Sequence, residues 1–364
     1  MDHFRKIFET LEDPRRPNAQ RHDLIEILMI AFCASLCGAE SSVDMAMFGK
    51  AKESVLREFL RLEHGIPSHD TFSRVFRVLD PLQFQVCFVR YLEAFQSSCK
   101  GHVAIDGKAL RGAQDKAVRD SPLYMVNAFA SEAGLTLGQV STEDKSNEIP
   151  ALRALLSLLC LKDCTITLDA LHAQKETAQA IVKQGADYVI ALKSNQRGLY
   201  EDVALYLDDP QSVISDQHQT CDADHGRIDA RHAIVCHDID WLLERHNWPG
   251  LKGIGKITAV REIKGKKQES SRYYLLSRAM NASEFLGFAR AHWQIENALH
   301  WVLDVVMKED ASRARKDNAP QNFAVLRRLA LNTIKANKDK GSNRIKFKQA
   351  GWDDAFLRKL IAGC

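Results

Sequence analysis

No apolar run in this sequence approaches the roughly 20 residues that a membrane-spanning helix needs. Its first residues, MDHFRKIFETLEDPRR, also lack the apolar core of a secretory signal. Both absences lead us to expect a cytoplasmic protein with no membrane partner. Nine cysteines are present, an odd number, and no two of them form a CxxC pair. That removes the disulfide frameworks of small secreted domains and the thiolate zinc ribbons. Cys33/Cys37 and Cys160/Cys164 have helical spacing, which small core residues explain better than metal. An excess of one charge is missing too: 50 Lys and Arg face 47 Asp and Glu, a net +3. What is there is globular: 364 residues, 45% hydrophobic and 27% charged, enough for two or three domains and a large core.

Charge is informative in its distribution. Between Arg313 and Lys348 lie Arg313, Arg315, Lys316, Arg327, Arg328, Lys335, Lys338, Lys340, Arg344, Lys346 and Lys348, opposed only by Asp317 and Asp339. A basic stretch of this kind favours phosphate backbones, with a solvated helix face as the rival reading. Residues 1 to 98 read as all helix, with Leu24, Ile25, Leu28, Met29 and Phe32 forming one apolar stripe and Val55, Leu56, Phe59 and Leu60 another. Between helices, Gly65 and Pro67 punctuate a turn, and Ser68 or Asp70 can cap the next helix. Helix, Gly-containing turn, helix is compatible with a DNA-reading unit carrying Arg74 and Arg77, although a plain helical hairpin is the commoner structure.

At His102 the rhythm changes to α/β. His102–Asp106 is expected as a strand ending in an acid, and Leu123–Ala130 with Leu135–Val140 as a hairpin. A helix over Ile149–Leu159 then precedes Cys164–Asp169, a second strand ending in an acid. Ala173–Gln184 as helix and Tyr188–Leu192 as strand complete a βαβ unit, whose strands must run parallel. Ligands in such sheets gather at the carboxyl ends of strands, where Asp106 and Asp169 stand. Residues of about 196–280 are mostly β material and read as an insertion, including a Lys264-Gly-Lys-Lys turn. One long helix is then expected, capped by Ser283, with Phe285, Phe288, Ile295, Leu299, Val302 and Val306 on its buried stripe. Glu296 lies just off that stripe, with Trp293, His300 and Asp304 further round the flank.

Three carboxylates, Asp106, Asp169 and Glu296, converging on one cleft would suit magnesium, with manganese as the alternative. Such hard cations prefer carboxylate oxygens and retain waters that substrate phosphates displace. Paired ions roughly 4 Å apart serve in-line phosphoryl displacement. Glycoside hydrolysis is the rival use of paired acids, but it also wants an aromatic-lined sugar cleft, which these strand ends do not advertise.

The motifs then resemble a family. Val103-Ala-Ile-Asp106-Gly107-Lys108, Lys145-Ser-Asn147-Glu148-Ile149, Leu168-Asp169-Ala170-Leu-His172-Ala-Gln174, Asp187-Tyr188 with Lys193-Ser-Asn195-Gln196, His225-Gly226-Arg227 and His292-Trp-Gln-Ile-Glu296-Asn297-x-Leu-His300-Trp look like the DDE transposases of bacterial insertion sequences. The likeness is to the H-repeat-associated group found with Rhs elements, and it runs from Asp13-Pro14-Arg15-Arg16 to about Arg315. It implies an RNase H-like catalytic core over 99–315 with the β-rich insertion, so that with the residue pattern the expected fold is α/β, with an all-helical N-terminal domain (1–98) before that core and a helical basic C-terminal tail (316–364) after it. It carries over Asp106, Asp169 and Glu296 as catalytic, metal-holding acids. It also implies double-stranded DNA (element ends and target) as partner, and a homodimer on that DNA. Related transposases place a Tyr, an Arg and a Lys around the catalytic Glu, where this chain has Ala289, His292 and Leu303. Candidates for gripping phosphates are Arg74, Arg77, Lys108, Lys193, Arg227 and His300. The expected function is strand cleavage and transfer at element ends. The rivals are a nuclease that cuts without joining and a domesticated DNA-binding protein that no longer catalyses.

Overall fold

A computed structural model describes residues 2–93, 101–114, 121–142, 147–224, 227–263 and 266–362. Lys145, Ser146, His225, Gly226, Lys264 and Gly265 of the sequence motifs lie outside the described residues, as does the side chain of Arg227.

The chain opens with six helices: α1 (Asp2–Phe8), α2 (Leu24–Leu36), α3 (Ser42–Ala51), α4 (Glu53–Leu56), α5 (His69–Val78) and α6 (Pro81–Glu93). β1 (Gly101–Leu110), β2 (Leu123–Ala130) and β3 (Leu135–Thr142) come after them, then α7 (Glu148–Leu158), β4 (Cys164–Leu168), α8 (Lys175–Lys183), β5 (Asp187–Leu192) and α9 (Arg197–Asp208). The expected insertion contains β6 (Asp216–Asp224), β7 (Arg227–Cys236), α10 (Asp240–His246), β8 (Gly253–Ile263) and β9 (Lys266–Leu276). Last come α11 (Ala282–His292), a π-helical turn (Glu296–His300), α12 (Trp301–Val305), α13 (Ala319–Ala336), α14 (Asn343–Trp352) and α15 (Asp354–Ala362).

All nine strands among the described residues belong to one sheet, in the order β3-β2-β1-β4-β5-β9-β8-β7-β6. β1, β4 and β5 run parallel, as the βαβ reading requires, and every other pairing is antiparallel. The inserted β material therefore extends the central sheet through the β5–β9 pairing.

Period-two alternation decides what covers each face. Val103 and Ile105 of β1 point into a core shared with Leu152, Leu155, Ile181 and Val203 from α7, α8 and α9. Ala104, between them, points the other way and joins a core built from the N-terminal helices together with α13, α14 and α15. Phe4, Phe8, Phe32 and Phe76 share that second core with Leu326, Leu329, Phe347 and Leu357. The first and last segments thus fold together, where the sequence suggested a separate domain and a tail. The basic stretch is accordingly divided. Arg327, Arg328 and Lys346 are buried and Lys335 half-buried, whereas Arg313, Arg315, Lys316, Lys338, Lys340, Arg344 and Lys348 are exposed.

The expected DNA-reading unit takes another form. Helix α4 ends at Leu56, and residues 57–68 intervene before α5, too many for the tight turn of a helix-turn-helix. Ser68 does cap α5, accepting from the Thr71 N–H. α5 is docked on α13: the Phe76 and Phe323 rings are 4.8 Å apart, and Asn322 donates to the carbonyls of Phe76 and Leu79.

Candidate active site

Two neighbouring parallel strands build the first half of the site. Their register pairs Ile105 with Leu168, so Asp106 and Asp169 are adjacent, one residue further along each chain. β1 runs on through Asp106, which pairs with Asn127 of β2, whereas β4 stops before Asp169. Burial pushes the Asp106 carboxyl up, against the opposing pull of His300 and His292. Asp169 is more open; its Oδ1 accepts from the Ala170 N–H at 2.6 Å and stands 3.8 Å from Lys193 Nζ.

The second half comes from the region expected as one helix. Asn281, not Ser283, caps it, its side chain accepting from the Glu284 N–H. Phe285, Leu286 and Ala289 pack on the inserted strands, and Ile295, Leu299 and Val302 enter the helical core. Between these two anchorages the helix is not regular. The Trp301 N–H reaches the Glu296 carbonyl, an i→i+5 bond, and Glu296–His300 forms a π turn, a feature frequent at functional sites. It brings Glu296 Oε2 within 3.3 Å of His300 Nδ1, which is 3.8 Å from Asp106 Oδ2. The hydrogen bond from His300 is the chief cause that holds the Glu296 carboxyl below its ordinary value.

Asp106, Glu296 and His300 each offer a ligand atom, all within 4.8 Å of one another. Two carboxylate oxygens with a third in Asp169 alongside are the donor set a hard divalent cation favours, so these residues fit such an ion.

The other sequence candidates are dispersed. Lys193 lies at the cleft beside Asp169. His300 belongs inside the acidic group, where it is buried and cannot reach out to a DNA backbone. Lys108 is corrected: it is 7% exposed, and its Nζ lies 2.7 Å from Asp304, 3.2 Å from Asp310 and 3.3 Å from Glu309. A lysine enclosed by three carboxylates joins β1 to the segment after the Glu296 helix; it has no room for a phosphate. Arg74 is exposed on α5, and Arg77 is engaged with Asp317 at 2.7 Å, both in the helical layer.

Three further groups surround the acids, and sequence alone did not rank them. His292 feels the charge of Asp106, Asp169 and Glu296 together, and its Nδ1 is 2.9 Å from Thr167 Oγ1. Its signal was spacing: His292, Glu296 and His300 recur every four residues on one helical face. On the opposite face of β1, Glu148 is buried with its Oε2 3.8 Å from His172 Nε2. A Cβ on Gly107 would come 2.8 Å from the Glu148 carboxylate, which accounts for a glycine next to Asp106.

Comparison with known proteins agrees in extent with this layout. The transposase DDE domain family matches residues 97–333, and the DDE_Tnp_1-associated family matches residues 5–92. "Putative transposase YncI" of Escherichia coli O157:H7 is 37% identical, over 97% of this chain and 93% of its own length. "H repeat-associated putative transposase YhhI" of Escherichia coli K12 is 35% identical, over 99% and 98%. "Inactive transposase YbfQ", also from K12, is 41% identical over 54 residues, 15% of this chain.

Proposed function

Since the chain belongs to the transposase DDE domain family, we propose that it cuts DNA at the ends of an insertion-sequence-like element and joins the freed 3′ hydroxyls to target DNA. Asp106, Asp169 and Glu296 are the catalytic acids in this reading, and double-stranded DNA is the partner. The observation that carries it is the convergence of Asp106, Glu296 and His300 within 4.8 Å, beside Asp169 on the neighbouring strand. The β3-β2-β1-β4-β5 order, antiparallel for the first two pairings and parallel for the next two, supports an RNase H-like core.

Asp106, Glu296 and the neighbouring Asp169 would be the residues that hold the cation. Magnesium, or manganese, held there would supply the positive charge that activates an attacking oxygen and steadies a leaving one. His300 donates to Glu296 and orients its carboxylate. Lys193, exposed at the mouth next to Asp169, is the lysine best placed to meet a substrate phosphate.

Two rivals remain distinct in their products. A nuclease on the same core would cut without joining, and a domesticated protein would bind without cutting. All three acids are kept here, which favours catalysis. The test is incubation of the full chain with Mg²⁺ and DNA carrying the sequences that flank its gene, resolved for cleaved and joined products. Both are expected. Cleavage alone would give the nuclease reading, and binding alone the domesticated one.

A further inference from the structure

We propose that the groove between α12 and α14 holds an unpaired stretch of the DNA strand next to the cut, with a base on Trp301 and phosphates on Lys308, Arg344 and Lys348. The identity of that strand rests on the transposase reading; the chemistry of its binding rests on the groove. The groove measures about 610 Å³, within the roughly 300–1,000 Å³ usual for sites that enclose small molecules.

It starts beside the acids. The Trp301 N–H closes the π turn that carries Glu296 and His300, and its indole, in the groove wall, is 55% exposed. Val302, Val305 and Val306 continue that wall, and Phe347 lines the groove from α14. Where α2 ends, the Cys37 thiol donates to the Ala350 carbonyl at 3.2 Å, which ties α14 to the helical core. The walls are therefore in place before any ligand arrives.

The charge of the groove has one sign. Lys308, Arg344 and Lys348 are exposed along it, and no acid lines it among the described residues. The acids nearby in sequence are engaged elsewhere. Asp304 meets Lys108 at 2.7 Å, Asp339 meets Lys359 at 2.7 Å and Asp354 meets Lys52 at 2.5 Å. Asp353 accepts from the Ala355 and Phe356 N–H groups at the start of α15. At one end of the row, Lys348 Nζ is 5.8 Å from the ring centre of Trp352, a second indole that is 76% exposed.

Three cations without a neutralising anion select a polyanion. The apolar walls select which one. A duplex keeps its base faces stacked inside and would offer these valines and Trp301 only its charged edge. An unpaired strand presents base faces together with phosphates, and aromatic rings in a basic groove hold such strands whatever their sequence. A second copy of the chain fits less well, because a two-fold contact through this groove would bring its cations against themselves.

The experiment uses the full chain and anisotropy of a fluorescein-labelled oligodeoxythymidylate, with a blunt duplex in parallel. Trp301→Ala should bind the oligonucleotide roughly 5- to 150-fold more weakly, the range for losing a stacked base. Trp301→Phe should recover most of that loss, and the duplex affinity should hold. Lys308→Gln, Arg344→Gln and Lys348→Gln should each lower the slope of log affinity against log salt by roughly 0.7 for the single strand. Wild-type affinity of Trp301→Ala for the oligonucleotide would overturn the proposal, and so would an equal loss on both DNAs. A dimer dissolved by Trp301→Ala with oligonucleotide binding intact would give the groove to a second copy. Oligonucleotide binding requires no cleavage, so a wild-type chain that cuts no DNA would defeat the transposase reading while this measurement still decides the groove.

Discussion

At the scale of single residues, the site is defined by where charge is tolerated. Asp106 is pushed towards its neutral form by burial and by Glu296, and the two imidazoles beside it and a hydrogen bond from the Gly107 backbone oppose that. A carboxylate group of this kind is costly unless something positive enters it. Asp106→Asn, Asp169→Asn and Glu296→Gln keep the shape and remove the charge. Each should depress cleavage beyond the roughly 100-fold that loss of an outer-shell partner costs, while leaving DNA binding near wild type. Parallel cleavage and gel-shift assays check this; a variant that cuts at near-normal rate removes its residue from the site.

At the scale of elements, the acids are held in register by a second, fully buried polar group. Arg328 of α13 donates to Glu309 at 2.6 Å and to Asn127 of β2 at 2.7 Å, and Lys108 of β1 completes the cluster. Burial alone would raise the Glu309 carboxyl, yet Arg328 and Lys108 outweigh it and hold the group at about 2. A carboxyl lowered from 4.5 in the fold stabilises the fold above the unfolded value, and that contribution is lost as pH falls. Urea unfolding of the wild type should therefore lose stability between pH 4.5 and about 2, the interval between the two values. Glu309→Gln should flatten that interval. At neutral pH it should be destabilised by about 3–5 kcal/mol, because Arg328 is left buried without its anion. The π turn is the other device at this scale. An uninterrupted α-helix from 282 to 305 would present the same stripe with Glu296 and His300 in a different relation. The anchorages on either side of the turn, Phe285 on the inserted strands and Leu299 in the helical core, hold it in place.

At the scale of the whole molecule, the surface that could meet DNA is smaller than the count of basic residues implies. Arg327, Arg328 and Lys346 are core residues, and Lys335 donates to the carbonyls of Gly134 and Ala298. Cutting the chain near Arg313 or removing residues 1–98 would strip the shared helical core, so neither deletion isolates a DNA contact. Substituting the exposed Lys338, Lys340, Arg344 and Lys348 with Gln avoids that. Each that contacts a phosphate should lower the slope of log affinity against log salt by roughly 0.9, equally for all sequences. An unchanged slope in the fourfold variant, measured by fluorescence anisotropy, would return these residues to the role of a solvated face. Among the described residues no helix is long and apolar enough to cross a membrane.

How much of this was legible in the sequence depends on the range of the interaction concerned. Strands β2 and β4 and helices α7, α9 and α13 arise from local apolar periodicity, which requires no knowledge of the partner. Asp106, Asp169 and Glu296 could be singled out because strand-end acids and a helical acid occur at family spacing, whereas His300 was expected at a phosphate and only the fold puts it beside Glu296 and Asp106. Contacts between distant segments were not legible, since periodicity says that a face is buried and not what covers it. Only the tertiary structure could show that α13 carries buried arginines, that Lys108 is enclosed by Asp304, Glu309 and Asp310, and that residues 4–92 share a core with residues 319–361. The same holds for His102, Thr167 and His292: they are 65 and 125 residues apart in the chain, and only the β1–β4 register and the packing of α11 bring them within hydrogen-bond distance.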